Sequence, residues 1–348
     1  MKLRVFLVIA SCLLSLTMGW VLSQRGESEQ GTGNAHELRI GLSMDTLKEE
    51  RWQKDRDLFT HRAEELGAKV FVQAANSDDA RQIQDIESLI SNKVNVLVIV
   101  PHNGAAMAKG VELAHASGIP VIAYDRMILD SDLDLYISFD NIKVGETQAK
   151  YALELLKGKK KPRIVRIFGA KTDPNASLFK QGQDNILKPL LDKGQIEIIH
   201  EDWAENWKPE NAKKILQAAI SRKGTNFDLV LAANDGTAGG AIQVLTEEGL
   251  AGKVPVIGQD AELAACQRIA KGIQSMTIYK PVKALANRSA EVAVKLAQGK
   301  PIVATSELSN GKTKVPSVLL EVVPVTKSNL RDTVIKDGFH TDKEVFGS

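Results

Sequence analysis

Acidic, amide, basic and indole side chains recur directly after the apolar segments of this sequence, where they could form a binding site. The apolar segment IPVIAY is followed by Asp125 and Arg126, and FDLVLAA is followed by Asn234 and Asp235. Carboxylates accept hydrogen bonds, Arg and Lys donate them, and Asn does both. Such a set can bind a ligand that presents many hydroxyl groups.

Similar side chains follow most of the other apolar segments. In chain order the full set is Asp45, Arg51, Trp52, His102, Asn103, Asp125, Arg126, Asp173, Asn175, Trp203, Trp207, Asn234, Asp235, Gln259, Asp260 and Lys280. Three of the four Trp residues of the chain belong to this set. Because indole rings cover flat apolar faces, the set predicts a pocket for a neutral, polyhydroxylated ring such as a sugar.

The same residues give no indication of catalysis or of a bound cofactor. The set contains no Ser-His-Asp combination, no His or Cys cluster at metal spacing and no Walker loop. The segment GTAGGA at residues 236–241 lacks the G-x-G-x-x-G spacing and indicates close helix packing. We therefore predict no catalytic residue, no metal and no cofactor. An enzyme acting on sugars stays an alternative, because the pocket offers paired carboxylates.

Each of these residues also has a purely structural interpretation. An Asp after a strand often caps the next helix or forms a turn, and this applies to Asp173 and to Asn234-Asp235. Trp52 and Trp203 could belong to the hydrophobic core, and His102 could be an ordinary polar loop residue. The joint occurrence of such residues at successive strand ends in both halves of the chain favours a site.

Predicted strands and helices alternate from Leu38 onward, which indicates parallel sheets with helices on both faces. In open sheets of this kind, ligands bind outside the carboxyl ends of the strands, where the polar residues follow. Residues 94–125 also align with residues 227–260, because each segment has a strand ending in a polar pair, a helix and a Pro-Val-Ile strand. This internal repeat predicts two similar lobes.

The start of the chain predicts export from the cytoplasm. Residues 1–4 are positively charged, residues 5–22 are largely apolar, and residues 23–37 form a polar spacer, which is typical of an export signal or a membrane anchor. The net charge of +2 over 348 residues gives no indication of nucleic-acid binding. Only Cys12 and Cys266 are present, so the body after the spacer has no internal disulfide. Cys266 is predicted to be a buried helix residue.

Several segments resemble the pentose- and hexose-binding group of periplasmic solute-binding proteins, and within it the xylose-binding members that serve bacterial ABC importers. The resemblance extends from about Leu38 to about His340. It rests on the segments ERWQKDRD, VLVIVPHNG, AYDRM, NDGTAGGAIQ, GQDA, MTIYKP and DTVIKDGFH. His102 departs from the pattern, since a Tyr is expected before Asn-Gly.

This resemblance implies an α/β fold of the type I periplasmic binding protein class. Two Rossmann-like lobes with parallel sheets are joined by a three-strand hinge, and a sugar lies in the cleft between them. The implied parts are a signal or anchor with spacer at 1–37, an N-terminal lobe at 38–139 plus 281–316, and a C-terminal lobe at 140–280 plus 317–348. The crossings are expected near residues 138–140, 279–281 and 315–317.

The resemblance also implies which residues contact the sugar. The matching positions are Arg51, Trp52, Asp125, Arg126, Asn175, Trp207, Asn234, Asp235, Asp260 and Lys280. Asp125 and Arg126 are expected to form bidentate hydrogen bonds with neighbouring hydroxyls, and to pair with each other when no sugar is bound.

The implied function is binding of a monosaccharide, with D-xylose preferred, outside the cytoplasm. The lobes would close on the sugar, and the closed protein, expected to be a monomer, would deliver it to an ABC permease. An alternative is a sugar sensor, anchored by residues 5–22, that signals to a membrane kinase. The sequence leaves D-xylose against D-glucose open.

Overall fold

The computed structural model describes residues 37–347. The predicted signal or anchor segment at residues 5–22 lies outside these residues, as does Cys12. Within the described range, none of the helices combines the length and the apolar character that a membrane crossing requires.

Strands and helices alternate along the described chain. The strands are β1 Leu38–Met44, β2 Ala68–Ala74, β3 Val96–Val100, β4 Val121–Tyr124, β5 Leu135–Phe139, β6 Arg163–Phe168, β7 Glu197–Trp203, β8 Leu229–Ala232, β9 Val256–Ile257, β10 Thr277–Tyr279, β11 Ser306–Ser309, β12 Lys314–Leu320 and β13 Val323–Val325. The α-helices are α1 Glu50–Glu65, α2 Asp79–Ser91, α3 Ala108–Ala116, α4 Asn141–Leu155, α5 Pro174–Asp192, α6 Pro209–Lys223, α7 Asp235–Glu247, α8 Leu263–Ala270, α9 Val282–Ala297 and α10 Asp342–Phe346. A short 3₁₀ segment at Glu205–Trp207 and a π-helical segment at Arg331–Ile335 complete the set.

The first sheet has seven strands in the order β11-β12-β5-β4-β3-β1-β2. All its neighbouring pairs are parallel except β11 with β12. Every residue of β3, β4 and β5 is buried, as expected for parallel strands covered by helices on both faces.

The second sheet has the order β7-β6-β8-β9, and all its pairs are parallel. A single parallel bridge between Ile257 and Met276 extends it toward β10, which pairs antiparallel with β13. The order of β6 to β9 repeats the order of β1 to β4 in the first sheet. The two aligned sequence segments correspond to β3-α3-β4 and β8-α7-β9. In chain order, these contain the third and fourth strands of each sheet. The predicted α/β fold with parallel sheets is therefore confirmed.

Polar residues that follow strands cap the helices. Asp173 accepts a hydrogen bond of 2.9 Å from the amide of Asn175 at the start of α5. Asn234 accepts one of 2.9 Å from the amide of Thr237, whose side chain bonds back to the amide of Asn234 in a capping box. These caps fix the first turns of α5 and α7 at the edge of the second sheet.

Within residues 37–347 the chain passes three times between the two sheets. The passages lie at residues 139–141, between β5 and α4, at 279–282, between β10 and α9, and at 320–323, between β12 and β13. The apolar segment SVLLEVVPV, whose pattern alone indicates a single strand, is divided between two sheets, because residues 317–320 pair with β5 and 323–325 with β10. The lobe boundaries remain a prediction, and we propose to place the third one between Leu320 and Val323 instead of at residues 315–317.

Candidate functional site

A small cavity lies where the carboxyl ends of the strands of the two sheets face each other. Its volume is about 30 Å³, well below the range of about 300–1,000 Å³ that is usual for small-molecule sites. The lining residues are Glu49, Arg51, Trp52, Asp125, Arg126, Asp173, Asn175, Phe179, Trp207, Asn234, Gln259, Asp260 and Lys280. Nine of the ten predicted contact residues are thus brought together, and Asp235 is the one that does not line the cavity.

Arg51 and Asp125 form a buried ion pair on the side of the first sheet. Arg51, in the first turn of α1, donates from Nη2 to Asp125 Oδ2 at 2.8 Å. Asp125 follows β4 with a φ of +64°, in the left-handed region. A second carboxylate, Asp55, lies 3.3 Å from Arg51 Nε. Both partners of the pair are almost fully buried, so each depends on the other for compensation of its charge.

Arg126 is held by two other carboxylates. Its Nη1 lies 2.6 Å from Asp45 Oδ2 and its Nε lies 2.7 Å from Asp173 Oδ2. Asp173 caps α5, the helix that follows β6 of the second sheet, so Arg126 joins the two sides of the cavity. The expected mutual pairing of Asp125 and Arg126 was wrong, because each side chain has a nearer partner of opposite charge.

Two indole rings border the cavity. The guanidinium carbons of Arg51 and Arg126 lie 4.1 Å and 5.1 Å from the centroid of the Trp52 ring, within the range of cation–π contacts. Trp207 comes from the other side, after the second sheet, and its ring packs against Gly169. Its indole Nε1 is buried and has no hydrogen-bond partner among the described residues. The rings therefore offer flat apolar faces and an available donor.

Asn175 connects the two halves through its side-chain amide. Its Nδ2 donates to the backbone oxygen of Asp125 at 3.0 Å and to its Oδ1 at 3.1 Å. Its Oδ1 accepts from Asn141 Nδ2 at 2.9 Å. Since Asn141 starts α4, directly after the first passage between the sheets, this network ties the cavity to that passage.

Asp260 and Lys280 form the far wall, next to Arg51. Asp260 Oδ1 lies 3.6 Å from Arg51 Nη1 and 3.5 Å from Lys280 Nζ. These distances exceed those of good hydrogen bonds, and Oδ1 is buried without a hydrogen-bond partner. Lys280 Nζ also lies 5.1 Å from the centroid of the Phe179 ring. A hydroxyl group of a ligand placed here would satisfy the free oxygen of Asp260.

Asp235 was predicted to contact the ligand, but its carboxylate does not line the cavity. Its Oδ1 accepts from Gln274 Nε2 at 2.7 Å and its Oδ2 accepts from Thr277 Oγ1 at 2.7 Å. The preceding residue, Asn234, faces the cavity instead, because it caps α7 with its Oδ1. Burial raises the pKa of Asp235 to about 7, against hydrogen bonds from Thr277 and Gln274 that lower it.

Several lining residues were missed by the predicted contact set. Asp173 and Gln259 belong to the strand-end residues but were left out of it, and Glu49 and Phe179 do not follow a strand at all. Phe179 lies four residues after Asn175 on α5, so helical spacing places both on one face, and this signal was available.

Besides Asp235, four residues of the wider set do not line the cavity, namely Asp45, His102, Asn103 and Trp203. Trp203 packs on Phe168 with ring centroids 4.9 Å apart and does not line the cavity. His102 lies beside a neighbouring opening of the cleft, where its Nδ1 is 2.7 Å from Asp79 Oδ1 and its Nε2 is 3.4 Å from Asn206 Oδ1. His102 therefore contacts the segment that carries Trp207.

The charged side chains of the cavity compensate one another in ion pairs. Burial alone would raise the pKa of Asp125, but Arg51, Lys280 and Arg126 more than offset it and hold the pKa below its usual value. Burial raises the pKa of Asp173, with Arg126 acting in the opposite direction. Among residues 37–347, no group of three or more His, Cys, Asp or Glu side chains could hold a metal ion. The arrangement is suited to binding an uncharged polar ligand.

Comparison with known proteins agrees with this architecture. Residues 40–301 match the periplasmic binding protein domain family. The chain is 49% identical over 312 residues to the D-xylose-binding periplasmic protein of Escherichia coli K12, covering 90% of this chain and 94% of that protein. It is 48% identical to the D-xylose-binding periplasmic protein of Haemophilus influenzae, with the same coverage.

Solved structures have the same fold. A carbohydrate transporter solute-binding protein from Chloroflexus aurantiacus, in complex with D-glucose, is 31% identical with a TM-score of 0.83, covering 89% of this chain and 98% of that one. An ABC transporter solute-binding protein from Clostridium phytofermentans, with bound β-D-glucose, is 30% identical with a TM-score of 0.81, covering 88% and 99%. The chain therefore belongs to the periplasmic binding protein domain family and has its two-lobed α/β fold.

Proposed function

We propose that this protein binds a monosaccharide, with D-xylose as the preferred ligand, outside the cytoplasm and delivers it to an ABC permease. The observation that carries this proposal is the cavity, in which buried charged and amide groups from both sheets surround a space bordered by Trp52 and Trp207. D-Xylose is preferred over D-glucose because two relatives with 48–49% identity are D-xylose-binding periplasmic proteins.

The charged groups would recognise the hydroxyls of the sugar through hydrogen bonds. Asp125 and Asp260 would accept from ring hydroxyls, and Arg51 and Lys280 would donate to ring oxygens. A sugar that lacks one of these hydroxyls leaves a buried group unpaired, at a cost of about 1–3 kcal/mol. The cavity would thus discriminate among sugars by the positions of their hydroxyls.

Closure would bring the two halves onto the ligand. Contacts between the halves, such as Arg126 with Asp173 and Asn175 with Asp125, are of the kind that separate when such a cleft opens. The sugar would shift the population toward the closed form only by its greater affinity for that form. We propose that the closed form, as a monomer, is the one that the permease accepts.

Transport is preferred over signalling because the two structural neighbours described above are transporter solute-binding proteins. The periplasmic location, reached through either a cleaved export signal or an uncleaved anchor, is proposed from residues 1–37 of the sequence. An enzymatic role is not proposed. Incubation with D-xylose, followed by recovery of the unaltered sugar, would test that choice.

Isothermal titration of the protein with D-xylose, D-glucose, D-ribose and L-arabinose tests the proposed function. We expect one binding site per chain and the lowest Kd for D-xylose. Trp207→Ala should raise this Kd at least tenfold, while Trp203→Ala, a Trp outside the cavity, should leave it within about twofold. An equal effect of both substitutions, or the absence of binding to all four sugars, would contradict the assignment.

A further inference from the structure

The turn that carries Asp260 has a backbone conformation that L-residues rarely adopt. Asp260 has a φ of +95° and Ala261 has a φ of +52°. Two consecutive residues other than glycine in this region persist only where the surrounding structure holds them. The position of the Asp260 carboxylate therefore depends on the groups that fix this turn.

The amide side of the turn is fixed by the second sheet and its extension. The N–H groups of residues 260, 261 and 262 donate at 2.7 Å, 3.1 Å and 3.1 Å to Ile278 O, Thr277 Oγ1 and Asp235 Oδ2. Asp235 does not line the cavity, but it helps to fix the turn of Asp260, which does. These bonds leave the carbonyl of Ala261 to be fixed from elsewhere.

That carbonyl accepts a weak hydrogen bond of 3.5 Å from the Cys266 thiol and a short one from His340, which lies 79 residues later in the chain. The distance from His340 Nε2 to Ala261 O is 2.7 Å. His340 is 3% exposed. Because a carbonyl only accepts, Nε2 carries the proton, and burial holds the pKa of the ring below its usual value.

His340 belongs to a short segment, Asp337–His340, which we call the C-terminal clamp. Asp337 accepts a hydrogen bond from the hydroxyl of Tyr279, the residue before Lys280. The carbonyl of Phe339 accepts from Lys54 Nζ at 2.8 Å, and Lys54 Nζ lies 3.9 Å from the centroid of the Phe339 ring. The clamp thus contacts the strand before Lys280 as well as α1.

The clamp therefore lies behind both parts of the far wall. Through Ala261 it holds the turn of Asp260, and through Tyr279 it holds the strand that leads to Lys280. Through Lys54 it is attached to α1, whose Arg51 approaches Asp260 to 3.6 Å. Groups that come from both sheets are tied together by four residues near the end of the chain.

We propose that His340 is a positioning residue for ligand binding, which acts by fixing the Asp260 turn through its hydrogen bond to the Ala261 carbonyl. This inference rests on the proposed sugar-binding function. It assigns a role in affinity to a residue that does not contact the cavity. Loss of the hydrogen bond should weaken only the interaction that Asp260 makes with the sugar.

A pair of substitutions of similar size tests this role. In His340→Gln the side-chain amide nitrogen replaces Nε2 and can still donate to Ala261, whereas in His340→Asn the side chain is too short. We expect His340→Asn to raise the Kd for D-xylose about tenfold and His340→Gln to keep it within about threefold. His200→Asn, on β7 away from the cavity, is the control and should change it less than twofold. If His340→Asn does not fold, His340→Met fills the volume without a donor and replaces it.

A double-mutant cycle separates positioning from a general loss of structure. In an Asp260→Ala background, His340→Asn should change the Kd less than twofold, because the group that it positions is already absent. The same loss of affinity in both backgrounds, or no loss in either, would overturn the proposal.

Amide hydrogen exchange gives a readout that does not depend on the sugar. Exchange at residues 261–262 should accelerate in His340→Asn, relative to wild type and to His200→Asn, without a matching change in β1. If wild type binds none of the sugars but this local acceleration is found, the proposed function fails while the positioning contact stands. Unchanged exchange in the turn would contradict the contact itself.

Discussion

Arg51 donates a hydrogen bond of 2.8 Å to Asp125, and this pair joins the first turn of α1 to the end of β4 inside the protein. The two residues are 74 positions apart in sequence, so only the fold brings them together. Because both charges are buried, removing either residue leaves an uncompensated charge inside the protein. A ligand therefore binds to a network of charges that already compensate one another.

Removing one member of a buried charged group in the cavity should impair both binding and folding. Asp125→Ala leaves Arg51 without its nearest carboxylate, and Arg126→Ala leaves Asp45 and Asp173 unpaired. We expect each to raise the Kd for D-xylose at least tenfold and to lower the free energy of unfolding by about 3–5 kcal/mol. Titration calorimetry and urea unfolding measure the two effects. Unchanged calorimetric titration of both variants would refute their place in the site.

The close contact of Gly169 with Trp207 should be needed for affinity. A Cβ at Gly169 would lie 2.0 Å from the Trp207 ring, so Gly169→Ala must displace the indole from its place beside the cavity. We expect a rise in Kd of about tenfold or more, together with a shift in Trp fluorescence.

Gly239→Ala is the control for this substitution. It introduces the same methyl group on α7, where the nearest atom is 3.4 Å away on the Arg268 side chain. Its Kd should stay within about twofold of wild type. Equal Kd values for the two Ala variants would mean that Trp207 does not need its observed position.

The contact of His102 with Asn206 should slow the release of the sugar. His102 is 2.7 Å from Asp79 and 3.4 Å from Asn206, and the latter lies next to Trp207. His102→Ala removes this contact between the halves, so we expect the dissociation rate to rise about threefold while the association rate stays within twofold.

Stopped-flow fluorescence measures both rates, and His115→Ala serves as its matched control. His115 also pairs with a carboxylate, Asp134, at 2.8 Å, but does not line the cleft. A dissociation rate that is unaffected by His102→Ala, or raised equally by both variants, would show that the His102 contact has no part in closure.

The buried carboxyl of Asp235 should give the folding free energy a distinct pH dependence. Its pKa is raised to about 7 in the folded state, chiefly by burial, so the folded protein binds more protons than the unfolded chain between about pH 4 and pH 7. The stabilisation that Asp235 contributes is fully present below the pKa of its carboxyl in the unfolded chain, about 4. It is lost as the pH rises to the folded-state pKa of about 7.

Urea unfolding between pH 4.5 and 7.5 measures this dependence. Wild type should lose stability with rising pH more steeply than Asp235→Asn, by up to about 1.4 kcal/mol per pH unit. Glu262, whose pKa burial raises to about 8, acts in the same direction in wild type. Parallel curves for the two proteins would contradict the raised pKa of Asp235.

The sequence predicts most of the fold because its signals are local. Continuous apolar segments such as VLVIV indicate buried parallel strands, and the polar residues after them mark the edge where ligands bind. The division of SVLLEVVPV between two sheets is not predictable from the sequence, since both parts have the same apolar pattern and only tertiary pairing separates them.

The candidate site was predictable where a strand end positions the side chain, as for Asp125 and Asn175. Asp235 and Asn234 could not be separated, because the cap geometry of α7 decides which of two adjacent side chains faces the cavity. Glu49, the residue before α1, lines the cavity. His340 contacts the Asp260 turn from a segment far along the chain. Such contacts carry no local pattern, so only the folded structure reveals them.

The central claim is that one sugar molecule occupies the cavity between the two sheets, and a crystal structure of the protein with D-xylose tests it most directly. We expect density for a single pyranose ring between Trp52 and Trp207, with hydroxyls within hydrogen-bond distance of Asp125 and Asp260. An empty cavity at saturating D-xylose, or a sugar bound elsewhere on the protein, would contradict the claim.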